Sequence, residues 1–507
     1  MLGLDFGTQS AKGVIVKSNG NIAASAYYPY QIICNNLGWV EQNPEDWWQA
    51  LKNICIQLKR INISAFSAIS AVGFSGQMHG VIFMGNSGEI LRNAIIWLDN
   101  RAIKECNIIN DILNDEDKKI ISNPITPVYS APKILWVREN EEEVWRQVKK
   151  ILFLKDYIRY RMCGSIFTDP SDASGTLLFN FNMNSWDEEI LSKLQINPHL
   201  LPEIIKSSEI CGKISFETSM ELGLKCGTPI VTGGGDLACG LLGSGVVTNN
   251  IILITLGTAG QVMMLKDNIE SKQIGKLYYF KNIDGEKNFS LGSLNSAGYC
   301  LRWFMDNLCE METYAEKKWE LNGFKLLDMQ AMQSNIGANG LLFLPYLQGT
   351  GTPYMDKLGR GAFIGLGGYH TKKDIVRSLM EGVILGIRDS VDLIKYSDII
   401  THVRFAGGGS KSLLWNKILA DVLGCNVTTL SIKDASPYGA ALIAGKGVGI
   451  YRNLNEAASL VKIQETIEPN VKNVYKYEKL YSIYKKLYKS LKRSFAEIAN
   501  FNIDNLS

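Results

Sequence analysis

The sequence predicts an α/β protein made of two related domains of similar size. Its 507 residues exceed the length at which a single hydrophobic core normally stops growing. Residues 4–8 and 254–258 share one pattern, in which apolar β-formers lead into a polar residue, an apolar residue, Gly and Thr. A second pair, an apolar strand followed by a glycine-containing turn, recurs in the same order at residues 69–80 and 402–410. Two matches in one order indicate internal duplication.

The composition is typical of a globular protein and excludes several classes, with 46% hydrophobic and 20% charged residues. A net charge of +3 is too small to indicate a nucleic-acid-binding protein. No apolar run approaches the ~20 residues of a membrane span. Residues 1–5 enter a strand directly, without the basic start of a signal peptide. The ten cysteines form no C-x-x-C pair, which predicts reduced thiols and a cytoplasmic protein with neither zinc site nor disulfide framework.

Local patterns place the elements around these motifs. Residues 2–5 and 13–17 are typical of the first strands of a β-meander, which turns at Asn19 and Gly20. A strand over residues 229–232 leads into three glycines, Asp236 and a helix.

A cluster of Gly, Ser, Thr and Asn over residues 243–249 favours a domain boundary there. The predicted domains are therefore residues 1–245 and residues 246–507.

The second domain ends in a long amphipathic helix. Its lysine-rich face is interpreted as solvated rather than as a membrane or nucleic-acid surface. Its apolar face consists of Tyr477, Tyr481, Tyr484, Tyr488, Leu491, Phe495 and Ile498.

The duplicated strand-turn segments have the chemistry of phosphate contacts. Gly allows a tight turn and brings backbone amides close to an anion, and the Thr hydroxyl adds a polar contact. Two such turns predict a nucleoside triphosphate held between two domains. Asp5, at the end of the first predicted strand, can hold Mg²⁺ through water. An Asx-type turn is the structural alternative.

Asp236 is the candidate general base. It follows three glycines and opens a helix, whose N-terminus favours an ionised carboxylate. Such a carboxylate can accept a proton from a substrate hydroxyl, although an N-cap role is compatible with the same position.

Three glycines over residues 407–409 precede a helix predicted over residues 413–423. A glycine turn there can lie against the flat face of adenine or ribose. A plain turn between a strand and a helix is the alternative.

Met78 and His79 lie on the first-domain counterpart of that turn, where a small substrate would face the nucleotide. A structural histidine is the alternative for His79.

The tryptophans at positions 39, 47, 48 and 97 are expected mainly in the core, with Trp39 a candidate for a pocket wall. No G-x-x-x-x-G-K-[ST] occurs, which excludes a P-loop NTPase. Gln77 replaces the closing glycine of a nucleophile elbow, which argues against a serine hydrolase.

These residues resemble the FGGY family of carbohydrate kinases, over roughly residues 4–451, and within it the xylulokinase branch. Residues 361–381 fit the second family signature, and residues 130–136 resemble the first, with Val128 standing where another residue type is usual. The motifs that resemble the xylulokinase branch lie at residues 38–48, 76–80, 155–157 and 171–175.

The resemblance implies the actin and hexokinase type of fold, in which two ribonuclease-H-like domains flank a cleft, each with a mixed five-stranded sheet and helices on both faces. It also implies a phosphotransferase that uses ATP and Mg²⁺, with the first domain on the sugar side and the second on the nucleotide side. By resemblance Asp236 is the catalytic base and Asp5 the metal contact. The implied sugar contacts are Gln77, Met78, His79 and Asp236, and the implied nucleotide contacts are Thr8, Gln9, Gly257, Thr258, Gly408, Gly409 and Asn416.

The implied reaction is ATP-dependent phosphorylation of the terminal hydroxyl of a ketopentose, with D-xylulose as the first expectation. Leu237 and the loop over residues 349–353 depart from the branch pattern, so L-xylulose, ribulose, gluconate and glycerol stay open as substrates. An actin-like nucleotide switch without kinase activity is the remote alternative. A homodimer, the choice of Mg²⁺ or Mn²⁺, and regulation are left open by the sequence.

Overall fold

The computed structural model describes residues 1–283, 285–396 and 398–504, and they divide into two compact units. The first unit comprises Met1–Val247, Lys266–Phe289 and Asp434–Val461, and the second comprises the other described residues. The units are not continuous in the chain, because two later segments pack with the N-terminal part. The domain ranges 1–245 and 246–507 stay a prediction.

The strands are numbered in chain order, and most of the long ones belong to two large sheets. They are β1 (Leu2–Phe6), β2 (Ser10–Val16), β3 (Ile22–Pro29), β4 (Glu41–Gln42), β5 (Val72–Gly76), β6 (Ile82–Met84), β7 (Ala94–Ile95), β8 (Lys150–Leu152), β9 (Phe167–Thr168), β10 (Phe179–Asn180), β11 (Ser185–Trp186), β12 (Glu203–Ile204), β13 (Ile210–Lys213), β14 (Pro229–Val231), β15 (Gly234–Gly235), β16 (Ile251–Leu256), β17 (Gly260–Lys266), β18 (Tyr278–Lys281), β19 (Asn288–Leu294), β20 (Leu342–Leu344), β21 (Ala362–Ile364), β22 (His402–Ala406), β23 (Asn426–Leu430) and β24 (Ile463–Ile467).

The helices pack against these sheets or connect their strands. They are α1 (Pro44–Ile61), α2 (Ile63–Ser67), α3 (Ile103–Ile112), α4 (Asp115–Ile121), α5 (Ser130–Asn140), α6 (Glu142–Trp145), α7 (Leu154–Cys163), α8 (Pro170–Ala173), α9 (Glu188–Lys193), α10 (Phe216–Leu222), α11 (Asp236–Gly243), α12 (Gly298–Leu308), α13 (Glu310–Trp319), α14 (Gly323–Ala331), α15 (Lys372–Lys395), α16 (Leu413–Leu423), α17 (Ala435–Gly447), α18 (Leu454–Ala458) and α19 (Val471–Asp504).

The large sheet of the first unit has the strand order β13-β14-β5-β1-β2-β3, with β15 beside β5. Strand β1 runs parallel to β5 and antiparallel to β2. The predicted meander is present, and its turn uses Gly20 at a φ of 79°, a left-handed conformation that glycine adopts without steric cost. The edge strand β13 and the short β15 add to the five strands that the resemblance implied.

The sheet of the second unit repeats this topology. Its strands β19, β17, β16, β22, β23 and β24 are neighbours in that order. Strand β16 is parallel to β22 and antiparallel to β17, and β24 is an antiparallel edge. Each strand has its counterpart in the first sheet, so the internal duplication predicted from two sequence matches is confirmed by strand order and direction.

Both faces of the first sheet are covered by helices. Side chains alternate along a strand, and in β1 Leu2, Leu4 and Phe6 pack into one hydrophobic core with residues of α1. On the opposite face Gly3 lies against α17, because a Cβ at this position would stand 1.9 Å from the carbonyl oxygen of Pro437. Asp5 shares this second face.

Helix α1 begins where the sequence provides a start signal. The side chain of Asn43 caps the helix by accepting from the amide of Glu45, Pro44 is the first helical residue, and acidic residues occupy the first turn. The helix brings Trp47 and Trp48 into the core, where both are buried as predicted. Trp39 instead packs edge-on against Trp136, with ring centroids 5.1 Å apart.

The C-terminal helix α19 packs mainly through tyrosines. Tyr477, Tyr481, Tyr484, Tyr488 and Phe495 are buried, as the helical spacing predicted. Leu491 is half-buried. The prediction was wrong for Ile498, which is 52% exposed, because Ala499 takes the buried position in that turn.

The hydroxyls of this helix find buried carboxylate partners. Tyr477 donates to Glu381 at 2.8 Å and Tyr481 donates to Asp389 at 2.7 Å. Among the helices described, none is long and apolar enough to cross a membrane.

Replacing Gly73 by Val is expected to destabilise the first unit by about 3 kcal/mol or more, because overpacking a tight contact forces the backbone to shift. A Cβ at Gly73 would lie 2.1 Å from the carbonyl oxygen of Ala440 in α17. The urea midpoint of unfolding measures the effect. The control Gly368→Ala, whose Cβ meets nothing within 4 Å, should change stability by less than about 0.5 kcal/mol. Equal midpoints for both variants would contradict this account of the sheet–helix contact.

Candidate active site

Three parallel strands of the first unit end at one edge of its sheet. Asp5 in β1 pairs with Ser75 in β5, and Ser75 pairs with Gly234 in β15. The segments that continue these strands are the turn over residues 7–9, the loop over residues 77–80, and Asp236 at the start of α11. This register places the predicted phosphate, sugar and base segments at the carboxyl ends of neighbouring parallel strands, where α/β sheets usually bind ligands.

The Asp5 carboxylate is held by its neighbour in the sheet. Ser75 Oγ donates to Asp5 Oδ1 at 2.6 Å. Burial raises the pKa of Asp5, while this hydrogen bond and the charge of Lys12 oppose the rise. Lys12 itself forms an ion pair with Asp434. Asp5 is therefore a fixed carboxylate rather than the acceptor of an Asx-type turn.

The turn over residues 7–9 is fixed from behind by side chains. Tyr30 Oη donates to the carbonyl oxygen of Gly7 at 2.5 Å, and Gln42 Nε2 donates to that of Thr8 at 2.6 Å. Gln77 Nε2 lies 3.3 Å from the Gly7 carbonyl oxygen and 2.7 Å from Gln42 Oε1. The Gln77 side chain is buried behind the turn, a position from which it supports the turn backbone.

The front of this turn carries polar groups that can meet a ligand. Gln9 is exposed, and Thr8 is half-buried. Trp97, which the sequence placed mainly in the core, is 37% exposed, and its Nε1 donates to Thr8 Oγ1 at 2.9 Å. The indole therefore fixes the rotamer of the Thr8 hydroxyl, a contact that no spacing in the sequence indicates.

Asp236 is the first helical residue of α11, and Gly235 occupies the N-cap position. Its Oδ1 accepts from the amide of Leu237 at 2.8 Å. Burial raises the pKa of Asp236 from 3.8 to about 8, and the negative charge of Asp5 adds to the rise. The side chain is therefore not an N-cap, and burial keeps this carboxyl largely protonated near neutral pH without ligand. A cation bound nearby would favour the ionised form that accepts a proton.

The glycines before Asp236 allow neighbouring segments to pack closely against the backbone, in addition to leaving room for a ligand. Gly233 adopts a φ of 80°, and a Cβ there would meet the Phe74 carbonyl oxygen at 2.3 Å. A Cβ at Gly235 would lie 2.8 Å from Met78 Sδ. The loop with Met78 thus touches the backbone that leads directly into Asp236.

His79 presents a neutral imidazole at this site. Its Nδ1 lies 2.7 Å from the Gly175 carbonyl oxygen, which can only accept, so Nδ1 carries the proton and Nε2 is free to accept. Burial lowers the pKa of His79 to about 4. The residue adopts a φ of 69°, which is strained outside glycine. His79 can therefore hold the Gly175 carbonyl oxygen through Nδ1 and still offer Nε2 to a ligand.

Lys133 supports the His79 loop, a role that was not predicted for it beyond its place in the first family signature. The side chain is fully buried, and its ammonium donates to the carbonyl oxygens of Val128, Tyr129 and His79. Burial lowers the pKa of Lys133 to about 7. A lysine within the otherwise apolar residues 131–137 of α5 is the signal from which a buried structural cation could have been predicted.

The second unit repeats the strand-end arrangement. Thr255 in β16 pairs with Ala406 in β22, so the turns that follow both strands leave the same sheet edge. Gly407 adopts a φ of 86°, and a Cβ there would meet the Leu256 carbonyl oxygen at 2.6 Å. The amides of Ala297 and Tyr299 both donate to the Thr258 carbonyl oxygen, which ties the first turn to the start of α12.

A cavity of about 910 Å³ opens beside these turns in the second unit. Four predicted nucleotide residues line it: Gly257, Thr258, Gly408 and Gly409. Its apolar walls suit a flat heterocycle, and two lysines can approach phosphate groups. Further lining residues are Leu301, Phe324, Met329, Met332, Leu413, Trp415, Lys325 and Lys411.

Asn416 occupies a different position from the other predicted nucleotide residues. It is buried, it does not line the cavity, and its Nδ2 donates to the Ser410 carbonyl oxygen at 3.1 Å. The side chain holds the glycine turn from behind, as Gln77 does in the first unit.

The carboxylates of the first unit fit a cation that arrives with a nucleotide. Burial raises the pKa of both Asp5 and Asp236, and the charge of Asp5 contributes to the rise at Asp236, so a cation nearby would relieve a real electrostatic cost. Across residues 1–283, 285–396 and 398–504, no group of three or more His, Cys, Asp or Glu could hold a metal alone. Mg²⁺ usually binds through one or two carboxylates, water and substrate phosphates.

Comparison with known proteins identifies the class. The sequence matches the N-terminal domain of the FGGY family of carbohydrate kinases over residues 1–243 and the C-terminal domain of that family over residues 252–448. The chain belongs to the FGGY family of carbohydrate kinases, and it is a sugar kinase that transfers a phosphoryl group from ATP.

Individual relatives define the neighbourhood within the family. The chain is 32% identical to a xylulose kinase of Bacillus subtilis strain 168 over 490 residues, which cover 96% of both chains. A ligand-bound xylulose kinase from Lactobacillus acidophilus superposes with a TM-score of 0.89 at 26% identity, covering 98% of this chain and 99% of that one. A gluconate kinase from the same organism superposes with a TM-score of 0.90, also at 26% identity and with the same coverage. The fold prediction is thereby confirmed.

Replacing Asp236 by Asn is expected to raise the thermal midpoint, and to raise it more at pH 8 than at pH 5. The folded-state pKa of about 8 lies above the ordinary 3.8, so the folded protein binds the extra proton between these values. The stability that this protonation contributes is complete below about pH 4 and is lost as the pH rises through about 8. A neutral amide avoids this loss.

Thermal unfolding at several pH values tests the sign. The control Asp111→Asn, at an exposed position of α3, should shift the midpoint little and equally at each pH. A gain for Asp236→Asn that does not change with pH would show that the carboxyl is not buried in this way.

Proposed function

We propose that the protein phosphorylates the terminal hydroxyl of a ketopentose, with D-xylulose as the preferred substrate. The observation that carries the proposal is the contact of Met78 with Gly235, which brings the predicted sugar loop against the residue preceding Asp236. The full-length similarity to a xylulose kinase supports the same substrate.

Asp236 acts as the general base in this proposal. Its carboxylate accepts the proton of the sugar hydroxyl as that oxygen forms a bond to the γ-phosphorus of ATP. The bond between the γ-phosphorus and the β–γ bridging oxygen breaks, and ADP leaves. The transition state of such transfers is usually loose, so positioning and charge neutralisation outweigh base strength.

The other residues of the first unit bind and orient the substrates. His79 Nε2 accepts from a sugar hydroxyl, and Met78 provides an apolar floor. The amides of the turn over residues 7–9, together with Thr8, contact phosphate oxygens. Mg²⁺, held through Asp5, neutralises phosphate charge when bound.

The second unit binds the nucleotide in this proposal. The adenine occupies the apolar part of the 910 Å³ cavity, and the turns with Gly257 and Gly408 contact the ribose and phosphates. Asn416 contributes by holding the shape of the glycine turn.

Leu237 is the residue for which sugars other than D-xylulose stay candidate substrates. It follows the base, it is half-buried, and its side chain offers no hydrogen bond. A substrate hydroxyl left without a partner costs on the order of 1–3 kcal/mol. If another sugar is preferred over D-xylulose, Leu237 is the residue beside the base to which the difference would be attributed.

Coupled ADP release with Mg-ATP tests the substrate against D-xylulose, L-xylulose, D-ribulose, L-ribulose, glycerol and gluconate. The proposal expects the highest kcat/KM for D-xylulose. Another preferred sugar would overturn D-xylulose and attribute specificity to Leu237 and the loop over residues 349–353. ADP release that no sugar stimulates would favour a nucleotide switch without kinase activity.

The variant Asp236→Ala is expected to lower kcat by about 100-fold or more while the KM for ATP changes by less than about 3-fold, because removal of a positioned base affects the transferred proton and not nucleotide contacts. Steady-state kinetics with the preferred sugar measure both constants. Asp111→Ala, which removes an exposed carboxylate, is the matched control. Near-normal turnover of Asp236→Ala would remove Asp236 from the mechanism.

A further inference from the structure

Five fully buried charged residues form a compact group in the first unit, which we call the buried ion cluster: Lys155, Asp156, Arg159, Asp169 and Asp172. Lys155 Nζ lies 2.7 Å from Asp156 Oδ1, 3.1 Å from Asp169 Oδ1 and 3.1 Å from Asp172 Oδ2. Arg159 Nη1 lies 2.9 Å from Asp156 Oδ1. Burying charges is costly unless each has partners, so such a group requires an explanation.

The cluster joins two motifs for which the reaction gave no role. Lys155 and Asp156 lie at the start of α7, and Asp172 lies in α8, next to the Asp169 that caps this helix. With two cations and three carboxyls, the cluster retains one uncompensated negative charge unless a carboxyl is protonated. Burial raises the pKa of Asp172, and the charges of Asp156 and Asp169 add to the rise while Lys155 opposes it.

One hydroxyl connects the cluster to the strand that leads to Asp236. Ser171 Oγ donates to Asp169 Oδ2 at 2.5 Å and accepts from the amide of Gly235 at 2.9 Å. All of these atoms are buried. Since Lys155 holds the other oxygen of Asp169, the chain of contacts runs from a fixed ammonium through a carboxylate and a hydroxyl to the backbone beside the base.

We propose that Ser171 is a positioning residue for phosphoryl transfer: its hydroxyl transmits the fixed geometry of the buried ion cluster to Gly235 and thereby holds Asp236 in its reactive position. The proposal rests on the role of Asp236 as the base. Gly235 has no side chain of its own to pack, and its backbone is restrained by its pairing with Gly76 in the sheet and by the bond from its amide to Ser171 Oγ. The Ser171 bond is the restraint that a side chain supplies. Ser171 touches neither substrate nor Asp236 itself in this account.

The chain offers a matched control in Ser207. Its Oγ lies 2.8 Å from the same oxygen, Asp169 Oδ2, and it is equally buried. The Ser207 hydroxyl is not a partner of the Gly235 amide. Loss of either hydroxyl removes one partner of Asp169, and only the loss of Ser171 releases the backbone beside the base.

Steady-state kinetics of Ser171→Ala, Ser171→Thr and Ser207→Ala therefore test the proposal. Ser171→Ala is expected to lower kcat by about 10- to 100-fold, since displacing a reacting group by about 1 Å can cost that much, with the KM for ATP within about 2-fold. Ser171→Thr, which keeps the hydroxyl, should recover most of the loss, and Ser207→Ala should stay within about 3-fold of the parent kcat. Equal losses in Ser171→Ala and Ser207→Ala would assign the effect to the cluster's stability and overturn the proposal.

Two further measurements keep the outcomes distinct. If Asp236→Ala retains activity, the proposed base is wrong; if Asp236→Ala is inactive and Ser171→Ala is normal, only the positioning role is wrong. Hydrogen–deuterium exchange of the unmodified protein is independent of variant folding. The Gly235 amide should exchange slowly without ligand, and fast exchange at this amide would overturn the proposal.

Discussion

The arrangement of the first unit depends on the parallel register of β1, β5 and β15. Asp5, Ser75 and Gly234 lie side by side in this register, and the chain leaves all three strands at one sheet edge. A shift of one residue would turn Asp5 to the face covered by α1. The register is held by close backbone packing at Gly3 and Gly73, where α17 leaves no room for a side chain. The position of three functional segments thus follows from the packing of α17 on the sheet face that also carries Asp5.

The buried carboxyls of the first unit lower the stability of the folded protein when they are ionised. Asp5, Asp172 and Asp236 are carboxyls whose pKa values burial raises. Each costs folding free energy when it is ionised. The protein meets part of this cost with specific donors, which are Ser75 for Asp5, Lys155 for Asp172 and the Leu237 amide for Asp236. A bound cation and the nucleotide would alter this balance further.

Much of the architecture was predictable because it rests on local patterns. The duplicated strand-turn segments, the helix over residues 413–423 and the tyrosine face of α19 all follow from periodicity and turn residues. The contacts of Trp97 with Thr8, of Lys133 with the His79 carbonyl oxygen and of Ser171 with Gly235 were not predictable. They join residues between 54 and 89 positions apart, and only the tertiary fold brings such residues together. The support position of Gln77 was not predictable for the same reason, since its partner Gly7 lies 70 positions away. Asn416 bonds to Ser410 only 6 positions away, so its support position is a local feature of the turn.

The most direct test of the account is to identify the product by ³¹P and ¹³C NMR after incubation with D-xylulose and Mg-ATP. The account predicts ADP and one phosphomonoester whose phosphorus couples to the terminal C5 of the sugar. Inorganic phosphate as the sole new phosphorus species, or phosphate on a different carbon, would contradict transfer to the terminal hydroxyl.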